Sequence, residues 1–125
     1  MKVLNRNWKS KLDKNCEIVN VQWTDNYLIV EYVSNTTEEL RNIVARLRNL
    51  NNKVVFPESI TKDKKNDKVV YKANFIISNF ENKLNNVWDF YTIDQTKKEY
   101  RLRSYIDFSN KLPYKLLDKL LVLKP

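Results

Sequence analysis

From Lys68 to Ile77 the chain alternates without a break, with Val69, Tyr71, Ala73, Phe75 and Ile77 on one side and Lys72 and Asn74 on the other. Successive side chains of a strand point to opposite faces, so this period of two predicts a strand buried on one face. The period recurs. In Cys16–Trp23, Val19, Val21 and Trp23 oppose Asn20 and Gln22, and in Tyr27–Val33, Leu28, Val30 and Tyr32 share a face. Asp25-Asn26 between these runs supplies a turn, which makes the pair a β-hairpin. Val87–Ile93 and Tyr100–Ile106 form another hairpin around Asp94–Glu99, a stretch too polar to bury. About six or seven short strands, with turn signals every ~8–12 residues, predict an all-β sandwich or small barrel.

Two segments resist a single reading. Thr36 with Glu39 three residues on forms a capping box, and Leu40, Ile43, Val44 and Leu47 recur at helical spacing. The same stretch also reads as a strand, Ile43, Ala45 and Leu47 sharing a face, that turns at Leu50–Lys53 and returns as Val54–Phe56. Lys111–Pro125 reads as a short helix after Pro113 or as a linker with some strand character. Ser59–Asp67 is polar and charged and is predicted as a loop, whereas Phe80 and Leu84 pin the connection Ser78–Asn86. The resulting organisation is a lead-in over 1–15, one domain over 16–108 and a C-terminal linker or helix over 109–125. The apolar run before Pro125 gives the chain the look of a segment cut from something longer.

The residues that are missing narrow the chemistry. The 125 residues include no histidine, no glycine and one cysteine. Without histidine the usual general base and commonest metal ligand are lost. Without glycine there is no phosphate-cradling loop, dinucleotide fingerprint or nucleophile elbow. Asparagine, abundant at the turns, is the best substitute where the backbone needs positive φ. Cys16 can form neither an internal disulfide nor a cysteine zinc cluster, and it opens an apolar run as a small core residue. Asp89, between Trp88 and Phe90, is the one carboxylate that invites an acid–base role, but no second acid is tied to it by spacing. Its alternation instead suggests a structural acceptor at a sheet edge. No catalytic residue, metal site or cofactor is expected.

The net charge is +8, which favours anionic partners: a glycopolymer, an anionic lipid surface or nucleic acid. Arg101 and Arg103, interleaved with Tyr100 and Tyr105, are candidate polyanion contacts. Lys62, Lys64 and Lys65, bunched in the predicted loop, are further candidates, although such lysines also describe a solvated tip. No run reaches the ~18 apolar residues of a membrane span, and the basic N-terminus lacks the apolar core of a signal peptide.

The residues Asn85–Tyr105, NNVWDFYTIDQTKKEYRLRSY, carry a resemblance. A turn leads into a Trp-Asp-aromatic-aromatic strand (Val87, Trp88, Asp89, Phe90, Tyr91), then a loop, then a Tyr-Arg-hydrophobic-Arg strand (Tyr100, Arg101, Leu102, Arg103). This resembles a hairpin in accessory domains of bacterial cell-wall polymer transferases, which include teichoic-acid glycosyltransferases and CDP-glycerol glycerophosphotransferases. The opening hairpin and Val54-Val-Phe-Pro57 resemble other parts of those domains more loosely, so the likeness covers about Glu17–Ile106. Asn85-Asn86 and Lys97-Lys98 stand where glycines are usual. The resemblance implies an immunoglobulin-like antiparallel sandwich of about seven strands, with Trp88, Asp89, Phe90 and Tyr100 as its structural hairpin. It also implies a strand at Ile43–Leu47. The function implied is a non-catalytic accessory domain, attached to a transferase domain or other subunits at the cytoplasmic face of the membrane. Such a domain would serve assembly, or hold an anionic polymer or lipid surface. The alternative from the residues alone is a basic nucleic-acid-binding β-barrel.

Overall fold

The computed structural model describes residues 12–35, 41–48, 53–80, 87–108 and 116–118. Among them β1 (Cys16–Trp23) and β2 (Tyr27–Ser34) form the opening hairpin. Its turn is closed by Thr24, whose N–H donates to the Tyr27 carbonyl at 2.8 Å and whose hydroxyl accepts the Tyr27 N–H at 3.0 Å. Leu28, Val30 and Tyr32 are fully buried, as their alternation requires. β1 departs from its predicted face. The register slips between Ile18 and Asn20, so Val19 is an extra, bulged residue. Ile18 therefore packs inward, Val19 is 49% exposed and Trp23 is 38% exposed at the strand end.

The segment with two readings is a strand. β3 (Asn42–Leu47) pairs with β7 (Val87–Ile93) along its length and with the short β4 (Val54–Val55) on its other side. Helical spacing loses here because Ile43 and Ala45 find a core only as strand residues beside β7. Thr36 and Glu39 lie outside the described residues, as does Leu84.

Ser59–Asp67 is not a loop. β5 (Ser59–Lys65) is an edge strand that pairs with β6 (Lys68–Ile76). The connecting turn places Asn66 at φ 55°, a left-handed conformation that asparagine tolerates. Charge masked the strand because only Ile60 of its described side chains packs against the core, and lysine is a common residue on an edge where pairing with another chain must be avoided. The C-terminal segment is also strand where it is described: β9 (Leu116–Asp118) pairs with β8 (Glu99–Asp107), which agrees with the reading of strand character there and not with the helix. With β4 and β9 included, the described residues form nine strands rather than about seven.

The strand orders are β1-β2-β6-β5 and β4-β3-β7-β8-β9, with every strand pair antiparallel. The chain changes sheet between β2 and β3, β4 and β5, and β6 and β7. This is the immunoglobulin-like arrangement, with β9 added beyond the last strand of the second sheet. The two sheets keep separate edges, so the fold is a sandwich and not a closed barrel. A 3-10 turn, Ile77–Asn79, carries the chain out of β6 and leaves Phe80 buried. Phe80 meets Trp88 edge-on at 5.1 Å and stacks on Phe108 at 4.8 Å, while Phe75 bridges to Phe90 at 5.9 Å. Trp88 is 3% exposed and Phe90 fully buried, so the tryptophan hairpin forms the middle of the core.

Candidate functional site

Strand β7 decides what each face of the second sheet carries. Trp88 and Phe90 point into the core, so Asp89 and Tyr91 point away from it. Register brings Arg46 of β3 and Tyr105 of β8 beside Asp89, and Val44 and Arg101 beside Tyr91. The result is an outward face of arginines, tyrosines and acids in which Val44, Asp89 and Tyr91 are nonetheless buried to 2% exposure.

Asp89 is not at a sheet edge, as its alternation had suggested, because β7 lies between β3 and β8. Its carboxylate is gripped by Arg48, with Nε at 3.1 Å and Nη2 at 2.8 Å. Arg46 reaches Glu99 in the same two-pronged way, at 3.1 and 2.5 Å. Both guanidinium groups lie over rings: Arg48 Cζ is 4.5 Å from the Tyr105 centroid and Arg46 Cζ is 5.8 Å from that of Tyr91. Burial alone would pull the Arg48 pKa down, but the Asp89 bonds and charge more than offset it and hold it above its ordinary value. Burial, helped by the Asp89 charge, pushes the Tyr91 hydroxyl up to about 12. Tyr105 is raised as well, mainly by burial.

A second polar cluster closes one end of the sandwich. Asp13 is buried, and its carboxylate accepts Arg41 Nη1 at 3.1 Å, the Thr92 hydroxyl, and the Asn15 N–H at 2.9 Å. Its own N–H donates to the Arg101 carbonyl at 2.9 Å, which draws the lead-in onto β8 beside the Leu12–Arg101 parallel bridge. Arg41 stands 4.7 Å over the Tyr100 ring, and the Tyr32 hydroxyl donates to its carbonyl at 2.8 Å. Cys16 sits beside this cluster, and burial followed by the Asp13 charge pushes its thiol up to about 12. That is the setting of an inert core thiol.

The predicted contacts fall in two places. Arg101 is half-buried opposite Tyr91, and Arg103 is exposed in the stretch of β8 where the register with β7 shifts. Lys62 and Lys64 are exposed on β5, and Lys65 ends that strand opposite Lys68. β8 packs against β1, whereas β5 is the opposite edge of the first sheet. The arginines and lysines therefore do not form one patch. Tyr100 is half-buried, and its hydroxyl donates to Asp94 at 3.3 Å. Asp94 organises the β7–β8 turn, accepting the Thr96 hydroxyl at 2.7 Å and the Thr96 and Lys98 N–H groups at 2.9 and 3.0 Å. These bonds, the Thr96 hydroxyl first, hold its carboxyl below the ordinary range.

Sequence reasoning gave Asp13, Arg41, Arg46 and Arg48 no part in a site. One signal was present: Asp13 is the lone acid in an otherwise basic lead-in. The partners of the arginines had none, because they are set by pairing between distant strands. Among the described residues no group of three His, Cys, Asp or Glu side chains is placed to hold a metal ion, and no helix is long and apolar enough to cross a membrane. Comparison of the chain with family models, curated proteins and solved structures returns no match in any of the three.

Proposed function

We propose that this domain is a non-catalytic accessory module of a teichoic-acid or related cell-wall glycopolymer transferase. Its work is to hold an anionic polymer beside the catalytic domain, at the inner face of the membrane. The observation that carries this reading is the way Val87–Ile93 is spent. Trp88 and Phe90 fill the core, and Asp89 is bound by Arg48 on the opposite face. The most enzyme-like stretch of the sequence is thus engaged in holding the two sheets and their outer layer in place. Asp13 and Glu99 are engaged in the same way by Arg41 and Arg46. What remains for a partner is a surplus of surface lysine and a net charge of +8. The sandwich topology and the Trp-Asp hairpin support the transferase-associated reading.

The test is titration of the whole chain with poly(glycerol phosphate) and, separately, with single-stranded oligonucleotide. Binding to the glycopolymer is expected, weakening steeply with added salt as charge-driven association does. Tryptophan quenching by the oligonucleotide, with no response to the glycopolymer, would sink this reading.

A further inference from the structure

The outward face of the first sheet bears a groove of about 400 Å³ where β1, β2 and β6 meet the lead-in and the β5–β6 turn. Its apolar lining is Val19, Val33 and Val70. Val33 and Val70 are cross-strand neighbours, and the bulge in β1 is what releases Val19 from the inward alternation. Around them stand Lys14 and Lys68 and the carboxamides of Asn15, Asn35 and Asn66. Among the described residues, no hydrogen bond or ion pair engages these five side chains.

Their backbones, by contrast, are tied down. The Asn35 N–H donates to the Asn15 carbonyl at 2.8 Å, and the Asn15 N–H donates to the buried Asp13 carboxylate at 2.9 Å. Asn66 occupies the left-handed turn two residues before Lys68. Folding meets the backbone part of the cost of assembling the site, and the exposed side chains lose their own rotamer freedom when they close on a ligand.

We infer that this groove binds a phosphate-bearing polyol or sugar unit, as found in the repeat of an anionic glycopolymer. The inference rests on the function proposed above and names the site and ligand class. Two ammonium groups supply the counter-charge for a phosphate. Each carboxamide offers both donors and an acceptor, which matches hydroxyl groups that do both. The valines provide a floor for the C–H faces of a saturated chain. Glu17 also lines the groove, where it can accept from a hydroxyl, and it leaves the lysine charge in excess. The lining has no aromatic ring, so it lacks the stacking platform that single-stranded nucleic acid uses. It also lacks the large apolar side chains that would enter a bilayer, which favours a water-soluble polymer over a lipid headgroup. The volume suits one small repeat unit, within the range of ordinary ligand sites.

The experiment uses the whole chain, with sn-glycerol 3-phosphate and poly(glycerol phosphate) as probes. Binding is read by calorimetry and by amide chemical shifts. Glycerol phosphate is expected to move the amides of Asn15, Asn35, Asn66 and Lys68 and to leave those of the Arg46–Arg48 face in place. Replacing the groove pair, K14A/K68A, should weaken the polymer at least about tenfold, on the scale of one favourable charge contact per lysine. A control pair outside the groove, K53A/K98A, removes the same charge and should cost less than about twofold. N35A, which leaves net charge unaltered, should also weaken the polymer.

Equal losses in both lysine pairs would show attraction by net charge alone and overturn the groove, while leaving the proposed function standing. Binding of anionic vesicles that exceeds binding of the soluble polymer and depends on Lys14 and Lys68 would overturn the choice of ligand. A wild-type chain that binds neither probe would overturn both readings.

Discussion

The outward faces of the two sheets use charge in opposite ways. On the β3–β7–β8 face, Asp89 and Glu99 are each held by two bonds from one arginine, and the guanidinium groups lie across tyrosine rings. On the β1–β2–β6 face, Lys14 and Lys68 stand at a groove with no acid paired to them among the described residues. The contrast follows from the two side chains. Arginine is weakly hydrated and presents a flat fork, so it gives up water readily for a planar carboxylate, whereas lysine keeps a compact, strongly hydrated charge. In this molecule Arg41, Arg46 and Arg48 bind the fold to itself, whereas Lys14 and Lys68 face outward, and on the same face Lys72 approaches Glu31 only loosely, at 3.8 Å.

If that division is right, the largest loss should come from the Asp13–Arg41 pair, where both side chains are at most 5% exposed. Arg41→Met would leave the Asp13 carboxylate buried beside Thr92 with no counter-charge, at a cost of about 3–5 kcal/mol. Urea unfolding followed by tryptophan fluorescence measures it, and a loss below about 1 kcal/mol would mean that the pair behaves like a surface contact. Alkali probes the same cluster. Cys16 is raised from 9.0 to about 12, so the folded state keeps a proton that the unfolded chain releases. The stability this provides is fully present below pH 9.0 and is lost as pH rises toward about 12. Tyr91 adds a decline of the same sign between 10.0 and about 12. Cys16→Ala should flatten the part that begins first, and the native thiol should react with a disulfide reagent only as fast as the protein opens.

Arg48→Ala ranks next. The Asp89 side chain is 3% exposed but that of Arg48 is 25% exposed, so water partly replaces the lost partner. A cost of about 1–2 kcal/mol lies between the values for surface and buried pairs, and high salt should change it little because the acid is sheltered. Arg46→Ala should cost less, about 0.2–1 kcal/mol, since Arg46 and Glu99 are 21% and 33% exposed. Salt should shrink this smaller effect further. Unfolding curves for the two variants at low and high ionic strength distinguish them. Equal, salt-sensitive losses would erase the distinction between a sheltered and an open pair.

Much of the sandwich was legible because burial writes itself into a strand as alternation. β2 and β6 were read almost residue for residue, and Trp88 and Phe90 were placed correctly in the core. β5 was illegible for the converse reason, since of its described side chains Ile60 alone packs against the core and the rest are exposed. The Val19 bulge escaped because one inserted residue inverts the pattern without altering composition. The arginine pairs were not legible, because Arg46 and Arg48 meet Glu99 and Asp89 only through the pairing of distant strands. The spacing around Arg101 and Arg103 suggested phosphate contacts; Arg101 is half-buried opposite Tyr91 and Arg103 is exposed at the register shift. The groove could not have been found from the sequence. Lys14, Asn35 and Asn66 lie far apart along the chain and meet only because β1, β2 and β6 are neighbours.

The smallest expected effect on stability is the most informative about the division itself. Lys14 and Lys68 are exposed, so replacing both by alanine removes no packing, and the unfolding free energy should stay within about 0.5 kcal/mol of the parent. A slight gain is the expected direction, because a chain of net charge +8 repels itself and two fewer cations ease that repulsion. Differential scanning calorimetry at low salt, where the repulsion is least screened, is the sensitive measurement. Should the pair instead cost more than about 1 kcal/mol, the groove lysines would be holding the lead-in against β6, and they would belong with the arginines as parts of the scaffold.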